Sequence, residues 1–559
     1  MCRQCLLRSC RIDLSYHYNI KYGILGIMRA FWNKIKQAKV LWIVVIIAIQ
    51  TVVYVVAGVH KAYYHMDEMY SYGLANFKQV QIYETEDFYN EWHTADYYRD
   101  YLVVDEGERG DFAPVYNNQR DDVHPPLYYL LLRVGMEMTP GEFSKWTGII
   151  INIAAFAVNT VFLYLIALRL VRKEANKELK AFVVTLVAAV SLCAVSTVLY
   201  IRMYALLTMW VTLTMWLHLV LVESKRLRPG LLVTIGVVAL MGVLTQYYYV
   251  FFLLPLFMIM VVRYAKAKRM RELWAYVGTL AGAAVVSLVI WPYSIQHMFF
   301  GYRGVGVLGN LLNFMNLGVQ LGVFCGMVVL YMFHGLLPLM LVVMFGLAIY
   351  GVRHAKRLEL SRVEEVNYGL VLWPTVVFFL IAAVASPFQD LRYIEAVGGL
   401  MIIVVLYGLY RLVGMVASGR MTQIVMLVTA AAMLIAPVVL GLEPDVMYRR
   451  METLNKFVAE NAEAPAIYLY NPGNERFLDD LVSFTEIEES YIMHHQAYTE
   501  ENFERILAGK DLTEGLIVFA NYGDENERWL EILRAASGLE RQEYVVRTNS
   551  ADVYYLSAM

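Results

Sequence analysis

The chain is poor in charge. Only 17% of its 559 residues are Asp, Glu, Lys or Arg, against 59% hydrophobic, and the mean hydropathy is +0.49. Soluble globular chains carry about 25% charged residues, so the composition excludes an ordinary soluble fold. A formal net charge of −2 leaves no global basic field, which argues against nucleic acid as a partner. Cysteine is scarce too. Cys2, Cys5 and Cys10 stand at the extreme N-terminus without a His or further Cys to complete a metal site, and Cys193 and Cys325 lie inside apolar runs, so disulfides are not expected. Residues 1–28 lack a long apolar core and read as a cytoplasmic lead-in, not a cleaved signal peptide; Met28, followed by a basic amphipathic stretch, is an alternative start to Met1.

What the chain has in quantity is apolar runs. A bilayer core of about 30 Å needs about 20 apolar residues per helix. Candidate spans are 40–58, 146–168, 181–200, 203–222, 230–246, 248–262, 273–293, 330–352, 369–385, 396–410 and 421–441, about eleven by that criterion. Basic clusters fall in alternate connections: Lys34/Lys36/Lys39, Arg172/Lys173/Lys177/Lys180, Lys225/Arg226/Arg228, Arg263/Lys266/Lys268/Arg269/Arg271 and Arg353/Lys356/Arg357/Arg362. The positive-inside rule makes these cytoplasmic, which leaves the loop 59–145 and everything after 441 facing outward. Residues 304–352 contain no Asp, Glu, Lys or Arg. Two spans there would turn the basic run 353–362 outward, so 294–329 is read as outward-side interfacial helices and 330–352 as one span, with Gly335 and Pro338 making its start irregular. The expected division is a cytoplasmic segment 1–39, a transmembrane domain 40–441 and an extracytoplasmic domain 442–559. Single cysteines placed in 59–145 and 442–559 should then react with an impermeant reagent from outside. A cysteine at Lys356 should not; strong labelling there with none in the tail would reverse the orientation.

The tail changes character. Charge becomes frequent, and short β-type runs (Ala466–Tyr470, Leu516–Ala520, Asp552–Leu556) alternate with helical patterns over 445–461 and 525–537, which predicts a small α/β domain. His494-His495 reads as a surface pair in a polar loop.

The first outward loop carries the chemistry. It runs for nearly ninety residues, and a loop of that length is usually functional or separately structured. Its many tyrosines and Trp92 fit an interfacial aromatic belt. Asp67-Glu68 stands about nine residues past the first span, too close to the headgroups for ordinary loop solvation; an ion pair with Lys61 is the purely structural alternative. Asp122-Val123-His124-Pro125-Pro126-Leu127 stands before the second span. His124 precedes proline and is pushed into extended geometry, so its imidazole sits at the start of the helix launched from Leu127, a place suited to anions.

Asp67-Glu68 together with Asp122-Val123-His124-Pro125-Pro126-Leu127-Tyr128-Tyr129 resembles the multispan GT-C glycosyltransferases, and among them the dolichyl-phosphate-mannose protein mannosyltransferase superfamily and its bacterial relatives, including the aminoarabinose transferases of lipid A. The resemblance covers about residues 40–415 and not 442–559. It implies a GT-C-like helical membrane protein in which Asp67 is the catalytic base, with Glu68 beside it, and His124 lies near the phosphate of a polyprenyl-linked donor. The protein mannosyltransferases follow His-Pro-Pro-Leu with a small residue and Lys, where this chain has Tyr128-Tyr129, and they insert sugar-binding domains absent here. The bacterial branch is therefore the better match.

Further outward residues fit the same expectation. The hairpin turn Tyr200-Ile201-Arg202-Met203-Tyr204 resembles an Arg-Met-Tyr segment of bacterial members, with snorkelling the alternative for Arg202. Gln246-Tyr247-Tyr248-Tyr249 tops another hairpin, suited to a sugar or to the interface. Arg392-Tyr393 caps a third, where the family often has Arg-Tyr near the donor phosphate; pairing of Arg392 with Asp390 or Glu395 is the alternative. Expected site residues are thus Asp67 and Glu68 for catalysis, His124, Arg202 and Arg392 for phosphate, and Asp122, Tyr128, Tyr204, Gln246, Tyr247 and Tyr393 for substrate.

These residues support one coherent reaction. A polyprenyl-phosphate sugar carries its own leaving group, since a phosphate monoester's second pKa is near 6. The second carboxylic acid of a glycosidase is then unnecessary. One base for an acceptor hydroxyl and cations for the developing phosphate charge suffice, and a single displacement inverts the anomeric carbon. The acceptor is a lipid, glycan or protein hydroxyl. A divalent metal bridged by Asp67, Glu68 or His124 is compatible with hard oxygen ligands but not demanded. A transporter of lipid-linked or small substrates and a non-catalytic scaffold for the tail are the rival readings. Coupled carriers place ionisable residues within the bilayer, and the spans hold essentially none beyond His218.

Overall fold

The computed structural model describes residues 39–78, 81–174, 176–224, 228–313, 315, 317–354, 362–471, 476–521, 523 and 526–558. Cys2, Cys5, Cys10, the segment 1–38 with both candidate starts, Lys225, Arg226, Lys356 and Arg357 lie outside the described residues.

The chain is an α-helical integral membrane protein with a small α/β domain at its C-terminal end. Each expected apolar segment forms helix, but not every one is a full span. Eight helices among the described residues are long and apolar enough to cross a bilayer: Lys39–Val59, Lys145–Leu170, Tyr204–Glu223, Tyr249–Lys266, Met270–Ile290, Glu364–Ala385, Glu395–Val416 and Gly419–Val439. Two bent pairs raise the number to ten. The difference from eleven has physical causes. Pro229–Thr245 and Leu337–Arg353 have 17 residues each, about 25 Å of helix at 1.5 Å per residue. The segment 181–200 is two helices, Lys177–Ala189 and Leu192–Leu199, set at 52° where Ser191 caps the second by accepting from Ala194 N at 3.2 Å. Leu337–Arg353 starts late because His334 and Gly335 take left-handed backbone, with φ of 53° and 84°, and Pro338 sits in its first turn. In the charge-free stretch before it, Tyr302–Leu312 and Leu317–Met332 meet at 105°.

Five strands of the tail, β2 Ala466–Tyr470, β3 Glu489–His494, β4 Leu516–Asn521, β5 Arg541–Arg547 and β6 Ala551–Ser557, join β1 Trp92–Thr94 in a six-stranded sheet in the order β1-β3-β2-β4-β6-β5. β2 pairs in parallel with β3 and β4, and β2 and β4 are buried along their whole length, as strands covered on both faces must be. Period-two alternation sends Ile467 and Leu469 toward the helices Glu500–Leu507 and Asn526–Ser537, while Ala466, Tyr468 and Tyr470 face the core shared with the rest of the chain. The remaining strand, β1 Trp92–Thr94, comes from the loop 59–145 and pairs antiparallel with β3, Trp92 opposite Tyr491. The sheet therefore crosses the boundary drawn at 442, and the loop 59–145 and the tail share one core. His494 closes β3 with its ring stacked near Tyr470 at 5.9 Å.

Candidate functional site

Hairpin turns and helix starts from six stretches of chain converge on one cavity of about 250 Å³. Its lining includes Asp67, His124, Arg202, Tyr204, Gln246, Tyr247, Tyr248, Arg392 and Tyr393. Eight of the eleven expected site residues thus meet around one space, although they stand up to 326 positions apart in the chain (393 minus 67).

Asp67 is held at a helix N-terminus. The helix Met66–Asn76 begins at the N-cap His65, whose side chain accepts from Asp67 N at 3.1 Å while Glu68 Oε2 reaches back to His65 N at 2.9 Å, a capping box. The Asp67 carboxylate faces the cavity. Arg392 Nη1 donates to its Oδ2, the Tyr200 hydroxyl donates to the same oxygen at 3.0 Å, and Arg202 Nη2 lies 3.9 Å from Oδ1. Burial pushes this carboxyl upward, but the guanidinium groups of Arg392 and Arg202 outweigh it and hold Asp67 well below the usual carboxylate range. Burial drives His65 down to about 3, so its ring is neutral.

Glu68 has a different fate. Its side chain is fully buried and ion-paired with Lys61 Nζ at 2.9 Å, and its other oxygen accepts from Ile201 N at 2.9 Å. The Lys61 alternative therefore holds for Glu68 and fails for Asp67. Helical spacing explains the split, because adjacent residues on a helix point about 100° apart. Removing one partner of a buried pair costs about 3–5 kcal/mol. Glu68→Gln should accordingly lower the melting temperature sharply, and Lys61→Met in the same chain should recover much of the loss. An unchanged melting temperature in Glu68→Gln would leave Glu68 free to act in the site.

The arginines are positioned by buried polar contacts. Asn152 donates to the carbonyls of Val198 and Tyr200 at 3.0 and 2.8 Å, which fixes the turn carrying Arg202. Gly148 permits the helix to touch that turn, since a Cβ there would lie 2.1 Å from Ile201 Cγ2. Arg202 lies over the Tyr129 ring, 5.9 Å from its centroid. Asp390 caps the turn Leu391–Tyr393 by accepting from Arg392 N at 3.2 Å and holds Arg392 Nε at 3.2 Å. Arg392 thus pairs with Asp390, one of the two alternative partners, and with Asp67 as well. Tyr204 stacks on Tyr200, ring centroids 5.9 Å apart.

His124 is oriented by Asp122, whose Oδ2 accepts from Nδ1 at 2.7 Å. Burial lowers the His124 pKa. Asp122 does not itself line the cavity; it fixes the ring. Tyr128 departs further from expectation: it is fully buried, edge-on to Tyr129 at 5.9 Å, and does not reach the cavity. It points inward because its helix, Leu127–Met136, turns that face to the core. Nor do Asp67, Glu68 and His124 converge as metal ligands. Each is engaged elsewhere, and among the described residues no three His, Cys, Asp or Glu side chains form a group able to hold a metal.

Some site residues carried too weak a sequence signal. Tyr200, a turn residue with no expected role, touches Asp67 from outside this lining. His297 and Arg303 come from the stretch read as interfacial helices, together with the apolar Val307, Leu308 and Leu311. The His297 ring accepts from the Tyr247 hydroxyl at Nδ1, 3.1 Å, and donates from Nε2 to Arg120 O at 3.0 Å; this single tautomer satisfies both. The lining therefore combines charged side chains with an apolar stretch. A second cavity of about 360 Å³ shares Arg392 with the first and is also lined by His65, Tyr200, Asp390, Glu395, Asp445 and Arg476.

Comparison with known proteins finds a family model that matches part of the chain. No curated protein matches the chain. By structure it is similar to ArnT from Cupriavidus metallidurans in the apo state, at 10% identity and TM-score 0.46 over 92% of this chain and 97% of that one. ArnT from the same organism bound to undecaprenyl phosphate gives 11%, 0.43, 92% and 98%. The Archaeoglobus fulgidus oligosaccharyltransferase tethered with an acceptor peptide gives 10%, 0.37, 90% and 74%. Residues 123–291 match the family model for dolichyl-phosphate-mannose-protein mannosyltransferase, a stretch holding His124, Arg202, Gln246 and Tyr247, and this match bears out the resemblance to that superfamily read from the sequence.

Proposed function

We propose that the protein is an inverting glycosyltransferase that moves a sugar from a polyprenyl-phosphate donor to an acceptor hydroxyl at the outer face of the membrane. The observation that carries this reading is the lining of one cavity, which brings a carboxylate, two arginines and an oriented histidine together with apolar Val307, Leu308 and Leu311. A lipid phosphate matches that polarity, its phosphate at Arg202, Arg392 and His124 and its chain along Val307, Leu308 and Leu311. The second cavity, which shares Arg392 with the first, suits the acceptor. The acceptor proton passes to Asp67, the acceptor oxygen bonds to the anomeric carbon, and the carbon–oxygen bond to phosphate breaks with its electron pair on the phosphate.

The pairing of Asp67 adds a condition to that step. A carboxylate held so far down is a weak base, and base strength sets the efficiency of proton abstraction. Donor phosphate competes for the same guanidinium groups, because Arg favours bidentate phosphate contacts. As Arg392 turns to phosphate, Asp67 retains the Tyr200 hydroxyl and its basicity rises. Donor binding thereby readies the base.

The test is a transfer assay with purified protein in lipid nanodiscs and a panel of labelled polyprenyl-phosphate sugars and acceptors, with product anomers assigned by NMR. Consumption of one donor with inversion supports the reading. No consumption of any donor, together with no binding of polyprenyl phosphate, would sink it.

A further inference from the structure

We infer that Asp479 and Asp480 of the C-terminal domain are positioning residues for Asp67, gripping from across the chain the segment that starts its helix. This rests on the catalytic role proposed for Asp67. The segment 61–65 is extended and irregular, and it is bound along its length by the tail. Lys61 Nζ donates to Val446 O at 2.8 Å, Ala62 N donates to Met447 O at 3.1 Å, and Asn455 Nδ2 donates to Ala62 O at 2.6 Å. The Tyr63 hydroxyl donates to Asp480 Oδ1 at 2.5 Å. Finally, Met66 N donates to Asp479 Oδ1 at 2.7 Å.

The last contact matters most. Met66 is the first residue of the helix, and its N–H is one of the donors that a helix N-terminus leaves without an intrahelical partner. His65 and Glu68 satisfy neighbouring donors locally; Asp479 satisfies this one across 413 positions. The N-terminus that aims Asp67 is thus completed only when the tail is docked. Each carboxylate is itself fixed: Asp479 Oδ2 accepts from Arg476 Nε at 2.7 Å, and Asp480 Oδ2 accepts from Thr548 Oγ1 at 3.1 Å and from Ser550. Burial pushes Asp479 up to about 7 and Asp480 up to about 6. Two adjacent buried carboxylates are costly unless hydrogen-bonded, and the backbone and tyrosine donors of 63–66 supply part of that compensation. The tail is on this account a component of the catalytic site.

Hydrogen exchange of the full-length protein in nanodiscs, with Asp479→Ala and Asp479→Asn, tests this without requiring turnover. Loss of a charge-assisted acceptor should raise exchange of amides in 63–70 by about tenfold or more in Asp479→Ala. Asparagine keeps an acceptor oxygen and should restore most of the protection. Once a donor is known, Asp479→Ala should lower kcat while leaving donor KM within about threefold, as misplacement of a base does. Unchanged exchange at 63–70 in Asp479→Ala overturns the inference, as does a uniform loss of protection throughout the tail that asparagine does not rescue. Failure of every donor in the assay would count against the transferase reading, while the exchange result would still decide whether the tail holds this helix.

Discussion

Asp67→Asn should abolish transfer while the protein still folds and still binds the donor. Asparagine retains size and hydrogen-bonding capacity but takes no proton at neutral pH. A general base contributes about 10²–10⁴-fold, so kcat should fall by that amount. The structure adds an expectation about binding. Arg392 and Arg202 spend part of their charge on Asp67, and in the variant they are released to phosphate. Affinity for polyprenyl phosphate should therefore be equal to or tighter than in the parent protein, measured by calorimetry in nanodiscs. A loss of kcat well beyond 10⁴ would mean that Asp67 also orients substrate. Near-normal turnover would remove it as the base, and Asp122 would be the next carboxylate to test, since Glu68 is committed to Lys61.

Arg392→Ala should produce the second large effect, and it should appear in two measurements at once. Donor affinity should fall about ten- to hundredfold, the equivalent of a lost charge-assisted hydrogen bond of about 1.5–3 kcal/mol. Arg392 is also the largest influence holding Asp67 in its ionised form. Without it the Asp67 pKa rises, so the acidic limb of the pH–rate profile should move to higher pH: protonated Asp67 is inactive, and it now persists to higher pH. Arg202→Ala should show both effects in weaker form, because Arg202 lies 3.9 Å from the carboxylate and makes no direct hydrogen bond to it. Unchanged donor affinity in both variants would leave these arginines with a purely interfacial role, and an unshifted acidic limb in Arg392→Ala would separate Arg392 from the base.

Much of this protein was legible in the sequence for local reasons. Length and hydropathy of each apolar run marked the helices, and the proline pair after His124 set the start of the next one. The carboxylate pair and His-Pro-Pro string of the long loop, residue types at hairpin turns and the family resemblance together picked out Asp67, His124, Arg202, Tyr204, Gln246, Tyr247, Arg392 and Tyr393, which line one cavity. The strands β2 and β4 were visible because their apolar runs are continuous, and β6 because Val-Tyr-Tyr-Leu follows Asp552. Strands β3 and β5 were not, since β5 is an edge strand with mostly exposed residues and β3 begins with exposed Glu489.

What only the tertiary structure decided are the contacts between distant segments. Sequence adjacency joined Asp67 to Glu68, but packing separated them: one carboxylate faces two arginines and the other is buried against Lys61. Tyr128 follows the His-Pro-Pro string, yet its helix face turns it into the core. Trp92–Thr94 became a strand because β3 offered it an edge, and Met66 found its acceptor in Asp479. Sequence by itself determined which segments form apolar helices and which residue types gather at their ends, because hydropathy and turn chemistry act over a few residues. The pairing of each charge was decided by the fold, because the energy of a buried charge depends on the partner that packing brings within reach.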